Sequence, residues 1–215
     1  QFTAYCPAAP SRCFPALRPG PVRALAPSHS VPLVFSMHHD CQDLIRLFDE
    51  CFLADLNTCL LGGYPEPEYL PADASHPHHR ILFTRDYFRS ALHEVAHWCV
   101  AGPERRLMPD FGYWYAPDGR TAEQQRTFES VEVKPQALEM IFCLAAGHRF
   151  DVSTDNLNGE QTDPGPFRAK VHAQAKVYLQ QGMGERPTRF AQALLDAYQP
   201  GRLLDPGLFS KVAAA

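Results

Sequence analysis

No stretch of the 215-residue sequence reaches the ~18 consecutive apolar residues that a membrane-spanning helix needs, which excludes an integral helical membrane protein. Pairing cysteines are missing too. Seven stand at Cys6, Cys13, Cys41, Cys51, Cys59, Cys99 and Cys143, an odd number with no C-x-x-C pair. That spacing excludes a disulfide framework and a zinc finger, and points to reduced thiols in a cytoplasmic protein. There is no excess of positive charge: 20 Lys and Arg face 24 Asp and Glu, for a net of −4, which argues against coating nucleic acid by bulk charge. Internal repeats are absent. So are acids in residues 1–36, which hold seven of the 20 prolines, three arginines and no helical or strand period. Such a segment cannot bury enough apolar surface to offset chain entropy. It is expected to be a disordered extension, or sequence translated from upstream of the true start, because Met37 leads directly into amphipathic sequence. It has no apolar core of the secretory type; an acid-free organelle-targeting peptide is the rival reading.

What remains, residues 37–215, is expected to be one domain with 17 basic and 24 acidic residues, a net of −7. The whole chain is 45% hydrophobic and 20% charged, as in a water-soluble globular protein. Leu44, Phe48, Cys51, Phe52 and Leu56 recur at helical spacing, predicting an amphipathic helix over 40–61 that Gly62 and Gly63 end. Residues 64–79 are proline-rich and polar, hence a long loop; 80–84 (RILFT) form a short strand. A helix follows over 86–101, with Gly102 to cap it and Pro103 to stop it. The aromatic run 111–116 is expected to be a strand before a turn at Pro117–Arg120. Thr121 with Gln124 starts a long helical stretch to about Gly147, which Pro135 should kink or restart. A short strand at 150–153 and helices over 167–181 and 188–198 complete a helix-dominated α+β pattern.

The chemistry concentrates in His93-Glu94-Val95-Ala96-His97, an H-E-x-x-H motif. Residues four apart share a helix face, so both imidazoles can reach one metal ion, with Glu94 beside its open side. The bland alternative is an exposed helix that happens to carry these residues; the apolar flank of Ala91, Leu92, Ala96 and Val100 argues for a buried one. Catalytic zinc and non-haem iron(II) both require a third protein ligand. No histidine follows at metzincin spacing, since 98–103 read WCVAGP. The candidates are carboxylates of the next helix: Glu129 and Glu132, three apart, and Glu139, seven beyond Glu132 but past the proline. Glu132, flanked by Val131 and Val133, is the choice, with Glu129 second. A second unusual patch is DFGYWYAPDGR, Asp110–Arg120, where Phe111, Tyr113, Trp114 and Tyr115 crowd together. It reads equally as a core strand with a turn or as a substrate wall able to hold a cation against ring faces. The histidines at 76, 78 and 79 and His172 read as loop and helix residues rather than ligands.

Taken together, IRLFDECF, EYLPAD, HEVAHWCVAG, DFGYWYAPDGR, FESVEVKPQAL, CLAAG, DNL, VHAQ and ERPTRF resemble the elongation factor P hydroxylase family, in the family's order, over about residues 40–190. The resemblance implies a zincin-like single domain of the helix-rich α+β class with a few short strands. It implies a cytoplasmic monooxygenase that acts on the β-lysylated lysine of elongation factor P, with no nucleic acid or membrane partner. It implies a metal held by His93, His97 and Glu132, with non-haem iron(II) ahead of zinc and molecular oxygen as co-substrate. Glu94 would then orient a water or oxygen species or relay a proton, and Asp110, Tyr113, Trp114, Tyr115, Asp118 and Arg120 would receive the cationic substrate. The rival readings are a zinc metallopeptidase with Glu94 as general base, and a non-catalytic interaction protein that binds a metal.

Overall fold

The computed structural model describes residues 39–112, 118–160 and 162–209. Residues 1–36 and the aromatic positions Tyr113, Trp114 and Tyr115 lie outside them.

Asp40 opens the first helix, α1 (Cys41–Leu56): its backbone is extended and its carboxylate accepts from the Gln42 amide at 2.8 Å. The inward stripe is Leu44, Phe48, Cys51 and Phe52, as the periodicity predicts. The helix stops five residues early. Asn57 takes a left-handed conformation (φ 49°, ψ 36°), and the chain reverses into strand β1 (Thr58–Tyr64). The apolar run Cys59-Leu60-Leu61 prolongs the helical pattern and so hides the break. Gly62 and Gly63 do not end a helix; they sit at a register shift in β1. Gly63 has φ 90°, and a Cβ on Gly62 would stand 2.6 Å from the Phe83 ring, so both places require glycine.

β2 (Glu68–Leu70) lies inside the stretch expected to be only loop; three residues behind Pro65 and Pro67 are too few to show a strand period. β3 (His79–Thr84) is the predicted strand and the middle one, in the order β1-β3-β2. It runs parallel to β1, with Leu60 opposite Ile81, and antiparallel to β2, with Tyr69 opposite Ile81.

The motif helix α2 (Phe88–Val100) packs on β3 with Leu92, Val95, Ala96 and Cys99 buried. Its C-terminal carbonyls are capped from afar. Arg186 donates to the carbonyls of Trp98 (2.7 Å), Cys99 (3.2 Å) and Ala101 (2.8 Å). That satisfies acceptors the helix end leaves open and places a cation at its negative pole.

The run expected to be a strand at 111–116 begins otherwise. Pro109–Gly112 form a 3-10 turn in which Asp110 (φ 46°), Phe111 (φ 57°) and Gly112 (φ 68°) are all left-handed. Two successive non-glycine residues in that region cost of order 1–3 kcal/mol each, which anchoring contacts must offset. Tyr69 supplies them: its amide donates to Asp110 Oδ1 at 2.9 Å, and its ring stacks on Phe111 at 4.2 Å.

Helix α3 (Ala122–Ala146) begins on the predicted capping box, with the Gln124 amide donating to Thr121 Oγ1 and the Thr121 amide to Gln124 Oε1. It neither stops nor restarts at Pro135; one helix runs through it. The carbonyl deprived of a donor is that of Val131, an exposed residue, where water can take the donor's place. From Pro135 to Ala146 every residue of α3 is buried, under α2 and the helices α4 (Gly165–Gln181) and α5 (Glu185–Tyr198). Phe48, Phe52, Trp98 and Phe190 interlock edge-on and tilted beside it. Residues 150–153 form no strand, and side chains take several of their backbone groups. The result is helix-rich α+β with one small mixed sheet, and no described helix is long and apolar enough to cross a membrane.

Candidate metal centre

Two helices bring the chemistry together. α2 presents Arg89, His93 and His97 four residues apart along one face, and α3 faces them with Glu132, Gln136 and Glu139. His93 Nε2 and His97 Nε2 stand 3.0 Å apart. Glu132 Oε1 is 3.2 Å from His97 Nε2, and Oε2 is 3.7 Å from His93 Nε2. These three residues are the converging set among the described His, Cys, Asp and Glu. Glu129 is outside it; its Oε1 accepts from Gln125 Nε2 at 3.3 Å.

Glu132 keeps only 2% of its side-chain surface exposed. Burial alone would raise its carboxyl, but His97 beside it, then His93 and a hydrogen bond from Gln136, hold it down at about 2. Gln136 is itself fixed at both ends of its amide: Nε2 donates to Ser153 O at 2.8 Å, and Oε1 accepts from the Ser153 amide at 3.0 Å. The Nδ1 edge of His93 is not idle: it lies 2.8 Å from Glu139 Oε2. Burial would lower the His93 ring, but the Glu139 carboxylate, its hydrogen bond and Glu132 push it up to about 10.

The set fits a divalent metal. Nitrogen ligands ~2.0–2.1 Å from a common ion stand about 3 Å apart when the angle between them is near 90°. Two imidazole nitrogens and a carboxylate also suit iron(II) or zinc equally by donor type. Without the ion, the same groups act as a buried cation–anion cluster. His93 then contributes stability that is complete below its ordinary value of 6.5 and is lost as pH rises through about 10. Chelator-treated protein should therefore show a falling melting temperature across that window, and calorimetry at stepped pH checks it. His93→Gln should flatten the slope.

A cleft of about 1050 Å³ opens over the cluster. Glu94 lines it, its carboxyl pushed up by removal from water and pulled back by His93 and His97. The exposed carboxylates of Glu66, Asp86, Asp110 and Asp155 also line it, against Arg89 as the one Arg or Lys among the described lining residues. Phe111 and Phe128 add apolar wall. Of the acids in the 110–120 segment, Asp110 lines this cleft. Asp118 is not among the lining residues: its oxygens close a turn, accepting from the Gly119 amide at 2.8 Å and from the Asn158 amide at 2.9 Å and side chain at 2.6 Å. Arg120 is only 3% exposed and points into the protein, donating to Gln125 Oε1 at 3.0 Å and Thr154 O at 3.0 Å with its guanidinium over Phe128 at 3.9 Å. It braces the cleft wall from behind. Sequence reading missed Arg89, Gln136 and the task of Glu139, although their four- and seven-residue spacings from His93 and Glu132 mark a shared face.

Comparison with known proteins finds a family and a named relative that this chain resembles. The sequence profile of the family described as elongation factor P hydroxylase matches residues 47–206. A protein of Haemophilus influenzae named elongation factor P lysine hydroxylase is 51% identical over 162 residues, 75% of this chain and 91% of that protein.

Proposed function

The chain belongs to the elongation factor P hydroxylase family and is a lysine hydroxylase of elongation factor P; we propose that the reaction is metal- and oxygen-dependent, with His93, His97 and Glu132 holding non-haem iron(II). The observation that carries this is the convergence of His93 Nε2, His97 Nε2 and the Glu132 carboxylate on one point of an open cleft. Held from one side by three protein groups, iron(II) would supply the redox chemistry that places one atom of dioxygen in a C–H bond of the lysine.

The rest is done by the chain itself. Glu94, whose carboxyl burial raises above its ordinary value, faces the cleft and is placed to hold or hand on a proton at its carboxyl oxygen. The exposed carboxylates of Glu66, Asp110 and Asp155 favour an approaching cation. That complements a lysine bearing a β-lysyl extension, the substrate form we propose. Phe111 and Phe128 would flank its alkyl stem, and on the same reading Tyr113, Trp114 and Tyr115 take part in binding. The architecture is read as zincin-like, an H-E-x-x-H helix packed on a small mixed sheet with a ligand from the following helix. The protein would act in the cytoplasm, on its translation factor. Intact-mass spectrometry of β-lysylated elongation factor P tests this: iron-loaded protein with oxygen and a reductant should add one oxygen atom. Release of a peptide fragment, or no change in mass, would overturn it.

A further inference from the structure

We propose that Glu139, gripped by Arg89, is the positioning residue of the metal centre: it accepts a hydrogen bond from His93 Nδ1–H and so leaves the Nε2 lone pair facing His97 and Glu132. This rests on the reading that His93, His97 and Glu132 hold a metal, and goes beyond it to what fixes the ring.

An imidazole can offer either nitrogen to a metal, and rotation about its side-chain bonds can turn both away. Fixing one nitrogen with an acceptor selects the tautomer and the ring plane together. The divided bonding of Glu139 does that. Its Oε2 lies 2.8 Å from His93 Nδ1, and its Oε1 accepts from Arg89 Nε at 2.7 Å. The carboxylate is 1% exposed, so water does not compete for either oxygen. Arg89 is in turn held: its other end donates to the Asp151 carbonyl, and its guanidinium lies 5.3 Å from the Phe150 ring centre. Arg89 and His93 are one helical turn apart on α2, while Glu139 is two turns beyond Glu132 on α3. The His93 ring is therefore set by the same two helices that carry the ligands. Glu139 is outside the converging set, so its burial has no explanation as a ligand.

A plain interhelical ion pair predicts a different result from a positioning device. Removing a pair that only ties α2 to α3 would lower the melting temperature and leave the ring and the metal affinity alone. Zinc serves as a diamagnetic probe. In zinc-loaded wild-type protein the His93 Nδ1 proton should give a slowly exchanging downfield NMR signal, identified by its loss in His93→Ala. Glu139→Ala should lose that signal and bind zinc about 10–100-fold more weakly in competition with a chelating dye. Arg89→Ala removes a half-exposed side chain and leaves the acceptor in place, so it serves if Glu139→Ala does not fold. It should keep the signal with faster exchange and lose a smaller part of the affinity. His97→Ala separates the two readings. If it binds zinc as tightly as wild type, the ligand assignment falls and the positioning role with it. If it loses zinc while Glu139→Ala and Arg89→Ala keep wild-type affinity and an unchanged ring proton, the ligands stand and the positioning role is wrong.

Discussion

His97→Ala and Glu132→Ala are each expected to abolish hydroxylation of elongation factor P and to leave the protein without bound iron, while Glu129→Ala changes neither measurably. A site with three protein ligands has none to spare, since the remaining positions must serve the reaction. The two losses should differ in the metal-free state. His97→Ala takes from the buried carboxylate of Glu132 its closest partner, at 3.2 Å, and leaves it only the Gln136 amide at 3.3 Å and the His93 ring at 3.7 Å. Glu132→Ala removes the anion and leaves His93 still paired with Glu139, so it should destabilise less. Iron content by mass spectrometry, turnover by intact mass and urea melts of chelated protein measure the three quantities. Should Glu129→Ala lose iron and Glu132→Ala retain it, the third ligand has been misassigned.

Metal exchange should have as large an effect. Apo protein reloaded with iron(II) is expected to hydroxylate its substrate only when oxygen and a reductant are present, and the zinc-loaded form should be inert because zinc has no redox chemistry. Glu94→Gln tells the same story from the side of the protein. In a peptidase Glu94 would have to take a proton from the attacking water, a task worth about 10²–10⁴-fold. In the hydroxylase the amide should leave iron bound, slow turnover, and at no point yield cleavage. Oxygen-independent cutting of a peptide bond by the zinc form, abolished by Glu94→Gln, would replace the hydroxylase with a hydrolase.

The parts of this reading that were legible in the sequence are those set by local periodicity. The four-residue spacing of His93 and His97 needs only a helix to become a face, and Glu132 between two valines marks itself as turned inward. The capping box at Thr121 and the β3 run are legible for the same reason. The failures are equally physical. α1 ends at Asn57 because one residue turns left-handed, and the apolar pattern beyond it continues unbroken. The FGYWY run suggests a strand by composition, but Asp110 and Phe111 are held left-handed by Tyr69, 41 residues away for the Asp110 bond. The place of Arg120 in the DFGYWYAPDGR segment does not show that its side chain turns inward, where Gln125, Thr154 and Phe128 enclose it. Glu139 was discounted because Pro135 was expected to break the helix, and the helix did not break.

That unbroken helix has a consequence for how the gene can vary. Glu132, Gln136 and Glu139 share a face only while the phase of α3 is kept, and each residue added or removed between them turns everything beyond it by about 100°. Loops such as 71–78 can gain or lose length with little cost. Between positions 132 and 139 a single-codon insertion would swing Glu139 away from His93 without altering one functional side chain. Substitution is tolerable in this segment wherever the chemistry allows it, whereas a change of length is not.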